Sequence, residues 1–126
     1  MAIERDVAEL EAACAYWCRQ LRLEDWRVYV TWDDFHLAKA GRAATVSWKL
    51  CHKTAYIDVM VPELYPDDWH EDVKDWNCHL VHELLHLHFA PFAADDGTPE
   101  DTAQEQAIEF IAQALARLKR ERDASH

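Results

Sequence analysis

Apolar residues change their spacing twice along this chain, from helical to alternating and back, and that change restricts the fold more than any other feature. Ile3, Val7, Leu10, Cys14, Trp17 and Leu21 recur at intervals of four and three, which places one apolar stripe on a first helix. The period then becomes two. Trp26, Val28, Val30 and Trp32 alternate with polar or half-polar neighbours, as do Ala44, Val46, Trp48 and Leu50, and then Ala55, Ile57, Val59 and Val61. Cys51–Lys53 is short enough to join the last two runs as a hairpin, and alternation in all three predicts an antiparallel sheet with one covered face.

Helical spacing returns after Pro62 and Pro66. Asp68 with Glu71 resembles a capping box and predicts a helix from there to about Phe89, stopped by Pro91. Thr98, Pro99 and Asp101 supply the cap, first-turn proline and first-turn carboxylate of a last helix, with Ile108, Ile111, Leu115 and Leu118 as its apolar positions. The segment Asp33–Arg42 is read as a polar connection. The order helix, three strands, helix, helix is α+β, and 126 residues fit a single domain spanning 1–126.

Charge narrows the function. With 13 Lys and Arg against 24 Asp and Glu, the net charge of −11 argues against a nucleic-acid groove or attraction to an anionic membrane. Charged residues punctuate the apolar runs too often for a bilayer span, and the opening MAIERDVAEL lacks the continuous apolar segment of a signal peptide. A soluble, cytoplasmic, monomeric protein is expected. Cys14, Cys18, Cys51 and Cys78 are too scattered for a disulfide framework or a zinc ribbon, so all four are expected to pack in the core.

Chemistry is concentrated in His82-Glu83-Leu84-Leu85-His86, an HExxH sequence. On a helix, residues four apart project one above the other, so two imidazoles can converge on one ion while the glutamate beside them accepts a proton from an activated water. A helical wheel gathers His79, His82, Glu83, His86, Asp72 and Asp75 in one arc. Val73, Trp76, Cys78, Leu80, Val81, Leu84, Leu85, Leu87 and Phe89 fill the rest. A narrow ionisable stripe on an otherwise apolar helix reads as a site. His79 lies on the stripe and either lines the cleft or approaches the metal. His88 falls on the apolar side, and His36, His52, His70 and His126 read as surface residues.

Two imidazoles do not complete a catalytic zinc site, which needs three protein ligands and an open position. Ala90 and Phe92 stand where the extended HExxHxxGxxH pattern would place glycine and histidine, so the third ligand must come from elsewhere, and the last helix offers carboxylates. Its carboxylates are Glu100, Asp101, Glu105 and Glu109. Glu105 lies nearest the Ile108/Ala112/Leu115 stripe and ranks first, ahead of Glu109, with Asp101 or a non-protein ligand behind. Asp72, Asp75 or another carboxylate would orient a ligand imidazole from behind.

VHELLH (Val81–His86), preceded by three strands and followed by EQAIEFIAQAL (Glu105–Leu115), resembles the zincin superfamily in its gluzincin-like arrangement. It is similar to minimal zincin-like proteins of bacteriophages and bacterial mobile elements. The resemblance implies a zinc-dependent metallopeptidase, with Zn²⁺ on His82, His86 and Glu105, Glu83 as general base, and a peptide or protein substrate. It implies that the third strand, Thr54–Val61, is the sheet edge lining the cleft. The phage likeness would put the protein in a host cytoplasm. Tyr65, His52 and His79 are the candidates for the group that steadies the oxyanion. Two other readings stand beside it: a zincin-fold interaction module with little or no catalysis, and an acidic protein that mimics nucleic acid through its net charge of −11 and has no need of His82 or His86.

Overall fold

A computed structural model describes residues 3–125 of the chain. Helix α1 spans Val7–Gln20, capped by Asp6, whose carboxylate accepts from the Ala8 N–H at 2.9 Å. Leu10, Cys14 and Trp17 are its buried stripe, while Val7 is exposed and Ile3 precedes the cap. Strands β1 (Arg27–Asp33), β2 (Ala44–Lys49) and β3 (Thr54–Met60) form one sheet in the order β1-β3-β2.

The sheet corrects the expected topology. β1 pairs in parallel with β3, from Arg27 opposite Thr54 to Asp33 opposite Met60, and only β2 and β3 are antiparallel. β3 is therefore the central strand, and the edges are β1 and β2. Alternating polarity reports that one face of a strand is covered and carries no information on strand direction, so it could not separate a mixed sheet from an antiparallel one. The segment between β1 and β2 is also more than a connection: it contains the short helix α2 (His36–Ala40), ended by Gly41 at φ 71°. The β2–β3 hairpin is present, turning through Leu50–His52 with Lys53 in the left-handed region at φ 48°.

Ala44, Val46 and Trp48 of β2, Ala55, Ile57 and Val59 of β3, and Val28 and Val30 of β1 meet the helices on one face. On the other face Tyr29 and Tyr56 stay half exposed and stack at 5.5 Å, although Met60 is buried there beside α2. Beneath the sheet runs α3 (Trp76–Phe89), in contact with α1, β2, β3 and the last helix, α4 (Pro99–Ala124). Cys78, Leu80, Val81, Leu84 and Leu87 of α3 are 2% exposed or less. Each such leucine contributes about 1.5–3 kcal/mol through burial.

α3 begins later than expected. Asp75, not Asp68, is its cap, accepting from the Asn77 N–H at 3.0 Å. Glu71–Lys74 forms a separate 3₁₀ turn, headed by the His70 ring, whose Nδ1 accepts from the Asp72 N–H. Asp72 and Asp75 do not reach the imidazoles: Arg120 spans both carboxylates at 2.8 Å, and Arg117 also pairs with Asp72. These pairs fasten α4 to the start of α3.

The α4 cap is as expected, with Thr98 Oγ1 accepting from the Asp101 N–H and Pro99 in the first turn. Its buried stripe is Ile108, Ala112 and Ala116, while Ile111 and Leu118 are 44% and 61% exposed. Alanines let α4 approach α3 closely, so the small residues face inward and the larger ones are left outside. Cys14 and Cys78 are buried and Cys18 partly so, but Cys51 is exposed in the hairpin turn, which corrects the core assignment for that residue. No helix among the described residues is long and apolar enough to cross a membrane.

Candidate metal centre

α3 carries His82 and His86 one turn apart, which brings their rings to 5.2 Å between centroids. α4 crosses in front of them and delivers Glu105. Its Oε1 lies 2.9 Å from His86 Nε2 and its Oε2 3.2 Å from His82 Nε2. One ligand atom from each of His82, His86 and Glu105 falls within 4.8 Å of the others, so the three could hold a metal ion. Tetrahedral zinc with bonds near 2.1 Å separates its ligand atoms by about 3.4 Å, and the carboxylate oxygens lie 2.9 and 3.2 Å from the imidazole nitrogens, somewhat closer than that. Two imidazoles and a carboxylate are also the donor chemistry of open zinc sites.

Glu109, ranked second as a ligand by sequence, sits behind His82 instead. Its Oε1 accepts from His82 Nδ1 at 2.8 Å and its Oε2 from Gln113 Nε2 at 2.7 Å. A carboxylate can only accept, so Nδ1 holds a proton toward Glu109, while Nε2 faces Glu105 and shares a second proton with it until a metal displaces that proton. The chain thus supplies the orienting carboxylate from α4 rather than from Asp72 or Asp75. Burial disfavours protonated His82, but the Glu109 hydrogen bond and the charges of Glu83, Glu109 and Glu105 outweigh it and raise the pKa. His86, without such a partner, is lowered by burial, with Glu105 opposing. Burial works to raise Glu109 too, yet its bonds to His82 and Gln113 hold it below the usual carboxylate range.

Glu83 points into the same cleft. Burial pushes its carboxyl up to about 7, helped by the charges of Glu105 and Glu109 and opposed by His82 and Arg42. The cleft measures about 750 Å³ and lies between the start of β2 and the α3–α4 pair. Its walls include Gly41–Val46, Trp48, His79, Asp96 and Asp101. The strand that lines it is therefore β2, correcting the expectation for Thr54–Val61, which is enclosed by strands on both sides.

The remaining candidates separate by geometry. His79 is 8% exposed and donates from Nε2 to the Val73 carbonyl at 2.6 Å, with its ring against Tyr65 and Trp69. It lines the cleft wall and stands outside the three-residue cluster. Burial lowers its pKa, with the Val73 carbonyl and the charge of Glu109 opposing. Asp101 faces the cleft but accepts from the Gly97 N–H, and Glu100 is exposed on the first turn of α4. His88 bonds the Leu21 carbonyl at 2.6 Å, away from the site.

His36, His52 and His70 are surface residues as expected, and His126 lies outside the described residues. That position removes His52 from the oxyanion candidates. The Tyr65 hydroxyl is buried, finds no hydrogen-bond partner among the described residues, and does not line the cleft. Sequence reasoning missed Arg42, which does line it. The signal in the sequence is its place just before the alternating run Ala44–Leu50, which forms the cleft edge. No family model, curated protein or solved structure matches the chain.

Proposed function

We propose that the chain is a zinc-dependent metallopeptidase of zincin type. The observation that carries the reading is the meeting of His82, His86 and Glu105 beside a half-buried Glu83 in an open cleft. His82 and His86 would hold the ion through Nε2 and Glu105 through a carboxylate oxygen, with Glu109 fixing the His82 tautomer. When bound, zinc supplies Lewis acidity, polarising a carbonyl and making water a nucleophile near neutral pH.

The protein's own part is proton handling and orientation. Glu83 Oε receives the proton given up by the attacking water and returns it to the departing amine nitrogen. Its raised pKa is that of the metal-free site, and in the loaded site Glu83 would be held in the carboxylate form that accepts the proton. β2 offers an unpaired edge along the cleft, suited to an extended peptide added as a further strand. His2Glu donors also take other divalent ions, so the metal is zinc by donor preference rather than by exclusion.

The test is Glu83→Gln in zinc-loaded protein against a fluorogenic peptide library. Zinc should remain stoichiometric while cleavage falls at least 100-fold, the scale of losing a general base. Unchanged cleavage, or no cleavage by the native zinc-loaded protein, would overturn the peptidase reading.

A further inference from the structure

The cleft is built mostly from negative groups. Glu83, Asp96, Asp101, Glu105 and Glu109 line it, and among its described lining residues Arg42 is the one permanent cation. Arg42 is held by its backbone and free in its side chain. Gly41 turns the chain at φ 71°, the Arg42 N–H donates to the Leu37 carbonyl at 2.9 Å, and the next carbonyl, of Ala43, accepts from Met60. Of the eight arginines, Arg5, Arg117, Arg120 and Arg122 pair with a carboxylate, while Arg19, Arg22, Arg27 and Arg42 pair with none among the described residues, and of these four only Arg42 lines the acidic cleft. The exposed Arg42 guanidinium makes no ion pair or side-chain hydrogen bond to a described residue, although five carboxylates share its cleft.

The carboxylates of this lining disfavour an anionic group, and away from the His82–His86–Glu105 cluster Arg42 is the lining residue that favours one. Arg42 precedes the lining strand and Trp48 lies near its far end, so the cation also gives an extended ligand a direction. Arginine suits this work because its planar fork binds an oxyanion through two parallel N–H donors and never loses its charge.

We propose that Arg42 is the anion-recognition residue of this cleft, holding a negatively charged oxygen of the ligand at the start of β2. The inference rests on the peptidase reading of the cleft and adds a ligand preference to it. The oxygen has two chemical sources: a carboxylate of the peptide, terminal or side-chain, or the charge that develops on the scissile carbonyl.

Three probes distinguish them: an amide-terminated peptide hydroxamate, its carboxylate-terminated twin, and an amide-terminated peptide phosphonate that carries a tetrahedral anion. Binding to zinc-loaded native protein and to Arg42→Gln and Arg42→Lys would be measured by calorimetry, with zinc content determined in each. Arg42→Gln should weaken an anionic probe about 10- to 100-fold, the scale of a charge-assisted hydrogen bond, with partial recovery in Arg42→Lys and no change for the neutral hydroxamate. Loss confined to the carboxylate probe identifies a peptide carboxylate as the source; loss confined to the phosphonate identifies the developing oxyanion. Equal affinities in native protein and Arg42→Gln, or no preference of native protein for either anionic probe, would overturn the proposal. A native protein that takes up no zinc fails at the earlier step, and zinc content registers that failure separately.

Discussion

Replacing Glu109 with alanine removes one carboxylate from behind His82 without touching a ligand atom. The side chain is 30% exposed, so its loss leaves no sealed cavity, and Gln113, partly exposed itself, can turn to water. What disappears is the 2.8 Å contact that keeps the His82 proton on Nδ1 and Nε2 aimed at the centre. Loss of such an outer carboxylate weakens metal binding by about 10- to 100-fold, or roughly 1.4–2.7 kcal/mol. Glu109→Gln should cost only a few-fold, because an amide oxygen still accepts from Nδ1–H. Glu105→Ala should cost more than Glu109→Ala, because it removes a donor atom. Competition against a fluorescent zinc chelator at neutral pH would rank the three, with circular dichroism confirming the fold. Native affinity in Glu109→Ala would refute the orienting role, and a larger loss there than in Glu105→Ala would make Glu109 the ligand.

The share of metal-free stability due to Glu83, read as the difference between native protein and Glu83→Gln, should fall as pH rises from 5 to 8. The lowered His79 and His86 act with the opposite sign in both proteins. The folded state holds a proton on Glu83 up to about 7, where the unfolded chain releases it near 4.5, and that advantage, about 3 kcal/mol, is lost as pH climbs through the folded value. The raised His82 acts with the same sign, its share being full below the unfolded value and lost as pH passes the folded one. Zinc uptake should show the opposite trend, strengthening with pH as His82 Nε2 is freed of its proton; melting curves with EDTA or zinc would expose both slopes, and parallel slopes would contradict the site. Leu84, 0% exposed at the centre of α3, should lose about 2–5 kcal/mol on replacement by alanine, measured by urea unfolding; a cost below 1 kcal/mol would mean that α3 is not the central element.

What was legible in the sequence was local. The His82–His86 spacing fixes two side chains on one helix face whatever surrounds them, and the position of Glu105 beside the Ile108 stripe placed it inward for the same reason. The order of strands was not legible, because alternation orients side chains and says nothing of which strand lies next to which. Ranking by apolar size chose Ile111 and Leu118 for the buried side of α4, where close helix packing selects Ala112 and Ala116. Asp68 and Asp75 are both plausible caps, and Asp75 has the Asn77 N–H and Arg120 to hold it. Glu109 and Arg42 act only across elements, so no spacing rule could assign them.

Anomalous scattering at the zinc edge from crystals grown with zinc speaks most directly to the central claim. The account predicts one strong peak within about 2.2 Å of His82 Nε2, His86 Nε2 and a Glu105 carboxylate oxygen, with Glu109 still on His82 Nδ1. An absent peak, or an ion held elsewhere while those side chains keep their contacts with one another, would contradict it.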